Sequence, residues 1–300
     1  MPLIRTATEL DFSPTELPRT PRPKRILLAD PRDYDVHYAI NPHMVDEDGE
    51  LQVVDRELAR EQWQALHRAC SELDVELMVM PPLAQHPDLV FCANPALPLP
   101  PGLEGPEAAV LPSQMASSER ADEVHHMLQF LRSRGVTCAP ALESAAPLEG
   151  TGDGLWHPGR RLLWAGVGPR SDERAWAELA ERYDLPIILL NLADPDFYHL
   201  DTCLALLDEE HCLWFPEAFD AAGRGLVELA FPKRLVAPED EARRRLACNL
   251  LCPDGHTVLL PSNCPESARG LRSWNYALRE LDTSEFLKGG GSLFCMKLQF

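Results

Sequence analysis

The sequence predicts an α/β fold, and three observations carry that reading. Short apolar strands alternate with amphipathic helices from Arg25 to the end of the chain. Helical segments recur, each opened by an Asp, Ser or Pro start signal or by an acidic first turn. The alternation divides the chain into about five units of roughly 55 residues, a spacing at which internal structural repeats are considered. The units share no visible sequence identity, so a doubly wound sheet fits the same alternation.

Taken in order, residues 1–23 are rich in Pro, Thr and charge (Ser13-Pro14, Leu17-Pro18, Thr20-Pro21-Arg22-Pro23) and lack an apolar period. They read as a loosely held, flexible arm, followed by a single domain over residues 24–300. The fold begins at Arg25-Ile26-Leu27-Leu28-Ala29-Asp30. Asp55 opens a helix running to Leu73, and Val75–Met80, Leu89–Ala93 and Ala108–Leu111 carry strand composition. Ser118–Arg134 and Ser171–Tyr183 read as helices, with strands at Arg161–Gly166 and Pro186–Leu190. Leu204–Leu207 and Cys212–Phe215 follow as strands. The last helices are Pro238–Leu251 and Pro265–Tyr276, and the last strands Val258–Leu260 and Leu293–Leu298.

Composition narrows the function classes. A chain of 300 residues with 45% hydrophobic content can bury a sizeable core. Its formal net charge of -19 disfavours nucleic acid and anionic membrane as partners, because phosphate binding needs clustered Lys and Arg. A cationic small molecule would be attracted instead. The 9 cysteines are odd in number, without CxxC pairs or zinc spacing, so free thiols in a reducing cytoplasm are expected and no metal is called for. No signal-peptide core or membrane-length apolar run occurs. Self-association is left open.

Several segments carry residues of chemical interest. Cys295 follows the turn Gly289-Gly290-Gly291, where a backbone free of side chains lets a substrate approach a thiol. A buried structural cysteine is the plainer reading of that position by itself. His199 and Asp201 stand two apart in a segment with strand character, so both side chains are expected on one face as a proton-transfer unit. Glu149 and Asp153 bring acids into a glycine-bearing turn, and Asn94 closes the apolar run Phe91-Cys92-Ala93. Each of these, alone, also fits a purely structural role.

In this order the pieces resemble the guanidino-group modifying enzymes, the pentein superfamily, over residues from about 25 to 300. The resemblance is to the arginine dihydrolases, which are related to dimethylargininases and amidinotransferases. Its carriers are Asp33-Tyr34-Asp35-Val36-His37-Tyr38-Ala39-Ile40-Asn41-Pro42, Pro87 to Asn94, Glu149-Gly150-Thr151-Gly152-Asp153, Phe197 to Thr202, Ala247-Cys248-Asn249, and Ser284 through Cys295. The resemblance implies a five-bladed α/β propeller of ββαβ units around a central, water-limited pocket. It implies Cys295 as nucleophile, His199 as general acid and base, and Glu149 and Asp201 as acidic partners. Asn94 and Asn41 would surround the guanidinium, and Arg120 and Arg170 would hold the substrate carboxylate. No cofactor is implied.

That set suits the chemistry. A guanidinium carbon is a weak electrophile, so a thiolate is the appropriate nucleophile, and the departing nitrogen must be protonated by a group such as imidazole. Carboxylates offset the cost of burying the cation. The resemblance implies hydrolysis of L-arginine to ornithine, two ammonia and carbon dioxide. The alternatives are a single-step dimethylargininase or deiminase giving citrulline, an amidinotransferase, or a non-catalytic arginine-binding propeller. Asn94 is expected to decide the number of steps, because deiminase-like relatives carry aspartate there. Two departures stand out: Pro95 to Pro106 reads as an insertion after Asn94, and Gln114 stands where relatives carry arginine.

Overall fold

The computed structural model describes residues 3–300. Its strands are two to five residues long, too short to build one broad sheet, and they gather into five separate small sheets. Each sheet repeats one pattern: an antiparallel pair, then a parallel neighbour reached across a helix. The parallel step needs a long crossover, and the helix supplies it while covering the sheet face.

In the first blade β2 (Arg25–Ala29) runs parallel to β3 (Glu76–Met80) across α1 (Arg56–Ser71). In the second, β4 (Ala96–Leu99) pairs antiparallel with β5 (Ala109–Pro112), which joins β6 (Thr137–Cys138) across α2 (Ala121–Ser133). The third carries the short helix α3 (Gly150–Asp153), then β7 (Gly154–Trp156), β8 (Leu163–Val167), α4 (Glu173–Tyr183) and β9 (Ile187–Asn191). The fourth is β10 (Leu204–Leu206), β11 (His211–Trp214), α5 (Ala221–Ala230) and β12 (Lys233–Val236). After α6 (Glu239–Arg245), the fifth pairs β13 (Thr257–Pro261) with β14 (Ala277–Leu281) across α7 (Pro265–Ser273), and an antiparallel bridge from Leu251 to Leu259 stands for its first strand. After α8 (Ser284–Leu287), β15 (Lys297–Gln299) returns to β2, with Lys297 opposite Leu28, so the C-terminus supplies the first blade's missing strand. This is the five-bladed α/β propeller.

The blades are held by apolar stripes. In α1, Asp55 caps the helix by accepting from the backbone N–H groups of Glu57 and Leu58, and Ala59, Gln62, Leu66, Ala69 and Cys70 turn inward at helical spacing. Trp164 and Trp176 are completely buried, with Trp176 donating its ring N–H to the Gly166 carbonyl at 2.9 Å. Burying each such side chain contributes about 1.5–3 kcal/mol or more.

Several expectations change. Helices α1, α2, α4 and α7 lie within the predicted spans, but Pro238–Leu251 shrinks to α6 and is not a blade crossover. The fourth crossover is α5, hidden in the sequence because Gly223 and Gly225 each lower helix propensity by about 1 kcal/mol. It forms because Asp220 caps it and Leu226, Val227 and Ala230 bury one face. Leu89–Ala93 is not a strand: Pro87–Val90 is a 3₁₀ turn. Ala96–Leu99, taken as part of an insertion, is β4, an edge strand that tolerates Pro98 because it lacks a partner on one side. Leu293–Leu298 is a strand only from Lys297. Residues 3–23 are docked rather than loose: β1 (Leu3–Ile4) adds to β9, Ile4 is fully buried, and Thr20 donates its N–H to the Gly159 carbonyl at 3.1 Å.

Candidate active site

The fold brings the sequence motifs together by one rule. Asn94 lies just before β4, Glu149 before α3 and β7, His199 and Asp201 just before β10, Asn249 just before the Leu251 bridge, and Cys295 just before β15. Every blade contributes the turn that precedes its first strand. A turn here leaves side chains free of sheet pairing, and they meet in two hydrogen-bonded groups, Cys295 with Asp201 and Asn249, and His199 with Glu149, while Asn94 and Cys295 reach the cavity wall.

A narrow cavity opens there, walled by Asn41, Asp88, Asn94, Arg120, Arg170 and Cys295, together with Tyr198 and the glycine turn. Gly290 has φ +89, and a Cβ on it would meet the Asn41 side chain at 2.6 Å, so the turn requires glycine. Gly152 is equally constrained, since a Cβ there would collide with the Asn94 amide.

Cys295 is buried and held by Asn249. The Asn249 Oδ1 accepts from the N–H groups of Ser292 (3.0 Å) and Cys295 (3.1 Å). Its Nδ2 donates to the Asp201 carbonyl at 3.1 Å and toward Cys295 Sγ at 3.1 Å. The thiol in turn donates to Asp201 Oδ2 at 3.2 Å. Burial, then the Asp201 carboxylate, push the thiol well above its ordinary pKa. Burial also pushes Asp201 up to about 7, against the opposing pull of the Cys295 hydrogen bond and Lys297.

His199 is anchored from the other side. Its Nε2 lies 2.7 Å from Glu149 Oε2. Burial alone would raise the Glu149 carboxyl, but His199, Arg170 and Arg120 bring it down to about 2. Glu149 also accepts from the Ala116 N–H at 2.9 Å, and Arg170 reaches it at 3.3 Å. Beneath, Asp153 accepts from Ser171 Oγ (2.6 Å) and the Leu200 N–H (3.0 Å), fixing the backbone beside His199.

The predicted residues therefore converge, with corrected geometry. His199 and Asp201 do not share a strand face: His199 is extended and Asp201 sits in a 3₁₀ turn, so one reaches Glu149 and the other reaches Cys295. Asn41 donates to the Gly289 carbonyl at 3.0 Å, bracing the glycine turn. Arg120 donates to Glu123 (2.7 Å), to the carbonyls of Asp88 and Phe91, and to Asn94 Oδ1 (2.8 Å). Most of its donors go to Glu123 and the two carbonyls, and one holds Asn94. Arg170 donates to the Ile40 carbonyl and stacks over the Tyr198 ring, 5.3 Å from its centroid. Two residues of the site carried no assigned role in the sequence. Asn249 stood in a quoted motif, and nothing local announces that an amide will grip a cysteine 46 positions away. Asp88, buried in the cavity wall with Oδ1 unpartnered, stood in the quoted motif Pro87 to Asn94, just before the segment read as a strand. No group of three or more His, Cys, Asp or Glu side chains is placed to hold a metal among the described residues. Nor, among them, is any helix long and apolar enough to cross a membrane.

The family described as "N,N dimethylarginine dimethylhydrolase, eukaryotic" matches residues 37–299. The chain belongs to this family. It is 35% identical to N(G),N(G)-dimethylarginine dimethylaminohydrolase of Mycobacterium tuberculosis, covering 94% of this chain and 87% of that protein. It is 34% identical to the bifunctional arginine dihydrolase/ornithine cyclodeaminase ArgZ of Synechocystis, covering 92% of this chain but only 37% of that longer relative. Among solved structures, the N-terminal domain of ArgZ bound to substrate superposes with a TM-score of 0.83 at 33% identity, covering 92% of this chain and 97% of that domain. An ArgZ variant domain covalently bound to a reaction intermediate matches equally, with a TM-score of 0.83. The chain is thus a hydrolase of the pentein fold acting on C–N bonds of guanidino or amidine substrates.

Proposed function

We propose that this hydrolase is an arginine dihydrolase, converting L-arginine and two waters to ornithine, two ammonia and carbon dioxide. Cys295 is the nucleophile, His199 the acid and base, and Glu149 its anchor. Asp201 and Asp88 face the guanidinium, while Asn94 and Arg170 position the substrate.

The steps follow from the surroundings of each group. The resting thiol is protonated, so the bound guanidinium itself favours ionisation. A cation about 4 Å away at an effective dielectric near 20 is worth about 4 kcal/mol to a thiolate. Asp201, hydrogen-bonded to Sγ, takes the proton. Attack on the guanidinium carbon forms a tetrahedral centre, His199 protonates the departing nitrogen, and ammonia leaves a thiouronium on Cys295. Water deprotonated by His199 then releases the ureido product and the thiol.

The observation that carries the second round is the orientation of Asn94. Arg120 has only donors, so the atom facing it must be the amide oxygen. That leaves Nδ2 buried and without a partner beside the cavity. A guanidinium offers only donors and has no use for it, whereas the ureido oxygen accepts. Holding the ureido group permits a second attack by Cys295, loss of a second ammonia, and hydrolysis of the resulting thiocarbamate to a carbamate that loses carbon dioxide.

Counting products from L-arginine tests this: ornithine with two ammonia per arginine is expected, and citrulline with one ammonia would overturn it. Asn94→Asp replaces the donor by an acceptor and is expected to shift release toward citrulline or abolish turnover; an unchanged product ratio would remove Asn94 from the argument. The match over residues 37–299 and the mycobacterial relative favour a second reading, a dimethylargininase. Dimethylamine released from dimethylarginine faster than ammonia from arginine would establish it.

A further inference from the structure

Behind the candidate active site lies a second, larger cavity of about 350 Å³, in the size range of small-molecule sites. Cys295 lines the first cavity while its chain neighbours Phe294 and Lys297 line this one, so one short segment is a wall of both. Part of its remaining wall comes from two proline-rich stretches for which the proposed reaction has no use. Thr20–Pro23 of the N-terminal arm, with Lys24 and Arg25 that follow it, closes one side, and Pro98 to Pro101 closes another. Trp156 ties the second stretch in place by donating its ring N–H to the Pro98 carbonyl at 2.7 Å.

The charge of this cavity is opposite to that of the protein. A chain with net charge -19 lines it with Arg22, Lys24, Arg25 and Lys297 against one acid, Glu107. Lys24 pairs with Asp74 at 2.6 Å, and Arg25 sits between Glu76 and Glu107. Among the described residues the Lys297 ammonium has neither ion pair nor hydrogen bond, and it sits over the Phe294 ring, 3.2 Å from Nζ to centroid. It is 3% exposed. Burial lowers its pKa to about 8, with Asp201, Cys92, Cys295 and Cys70 pulling the other way. An isolated buried ammonium is costly, and a ligand anion would relieve that cost.

We propose that this rear cavity is a second ligand site, for a monocarboxylate carried on an aromatic body, with Lys297 receiving the carboxylate. Of the lining cations Lys24 and Arg25 are met by acids, and the buried Lys297 ammonium is balanced by one carboxylate. Trp156, Phe294 and Phe300 line the cavity as aromatic surface against which a ring can pack. The site is independent of the reaction proposed above, because its readout is binding.

The probe is 3-phenylpropionate, titrated against the full chain and followed by tryptophan fluorescence, with the neutral 3-phenylpropanamide as comparison. Saturable quenching is expected, at least tenfold tighter for the acid than for the amide. Lys297→Met should weaken the acid at least tenfold, and Trp156→Phe should remove most of the signal, which separates this cavity from the front one. No saturable change, equal affinity for acid and amide, or a signal intact in Trp156→Phe would each overturn the proposal. The acid-against-amide comparison on the unmodified chain remains decisive if Lys297→Met does not fold.

Discussion

The two cavities meet at residues 294–297 and are built in contrasting ways. The front one is assembled from five turns, one per blade, and its charged and nucleophilic groups are held by short hydrogen bonds: Cys295 by Asn249 and Asp201, His199 by Glu149, Asn94 by Arg120. The rear one is wider, walled by proline, aromatic and aliphatic side chains, and its buried cation is unpaired. Order of this kind suits a reaction, where misplacement by an ångström is costly. A wider, largely apolar space with an excess of cations suits the binding of an anion.

The largest effects should come from the front. Cys295→Ser removes the soft nucleophile and is expected to bring L-arginine turnover to background while leaving thermal unfolding nearly unchanged. Retained turnover would mean that the paired geometry is structural only. Glu149→Gln leaves the His199 ring without its carboxylate and Arg170 without a counter-charge. A fall in kcat of about 10²-fold or more, with a smaller change in KM, is expected from the weight of acid–base catalysis. A raised KM with kcat unchanged would place Glu149 in substrate binding instead.

The contrast also decides what the sequence revealed. The front residues are chemically conspicuous and stand in short ordered motifs, so Cys295, His199, Asp201, Glu149 and Asn94 could be picked out before their geometry was known. Their local structure could not: the His199–Asp201 spacing suggested a strand face, and the fold uses a turn. Asn249 and Asp88 escaped because their roles depend on contacts between distant segments. In the fold, helices with clean apolar stripes such as α1 and α4 were legible. The crossover α5 was not, because its two glycines conceal a stripe that tertiary packing sustains. The rear cavity was invisible for the same reason: an arm that looks unstructured in sequence becomes a wall through contacts with a distant segment, such as Thr20 with Gly159.

A pH profile sharpens the front's electrostatics. In the proposed mechanism Asp201 is ionised both to take the thiol proton and to hold a guanidinium. With its pKa raised to about 7 by burial, the carboxyl is protonated below that pH and charged above it. The expected kcat/KM falls about tenfold per pH unit below pH 7, as for any single required base. Asp201→Asn should be slow and flat over the same range. An acid limb near pH 4 would show that burial does not govern this carboxylate.

The smallest expected effect on turnover lies at the shared wall. Lys297 places a positive charge within the field of both Asp201 and Cys295, and that charge favours the thiolate. Lys297→Met removes it, so the pH midpoint for alkylation of Cys295 should rise. Because Lys297 is only partly charged near pH 8 and forms no ion pair, the slowing at fixed pH should be about threefold to tenfold, as for an unpaired charge acting through a protein dielectric near 20. The same substitution should abolish the preference of the rear cavity for an acid over its amide. If alkylation slows with no change in that preference, Lys297 serves the thiol alone. If the preference is lost while the midpoint stays put, the wall separates two independent sites.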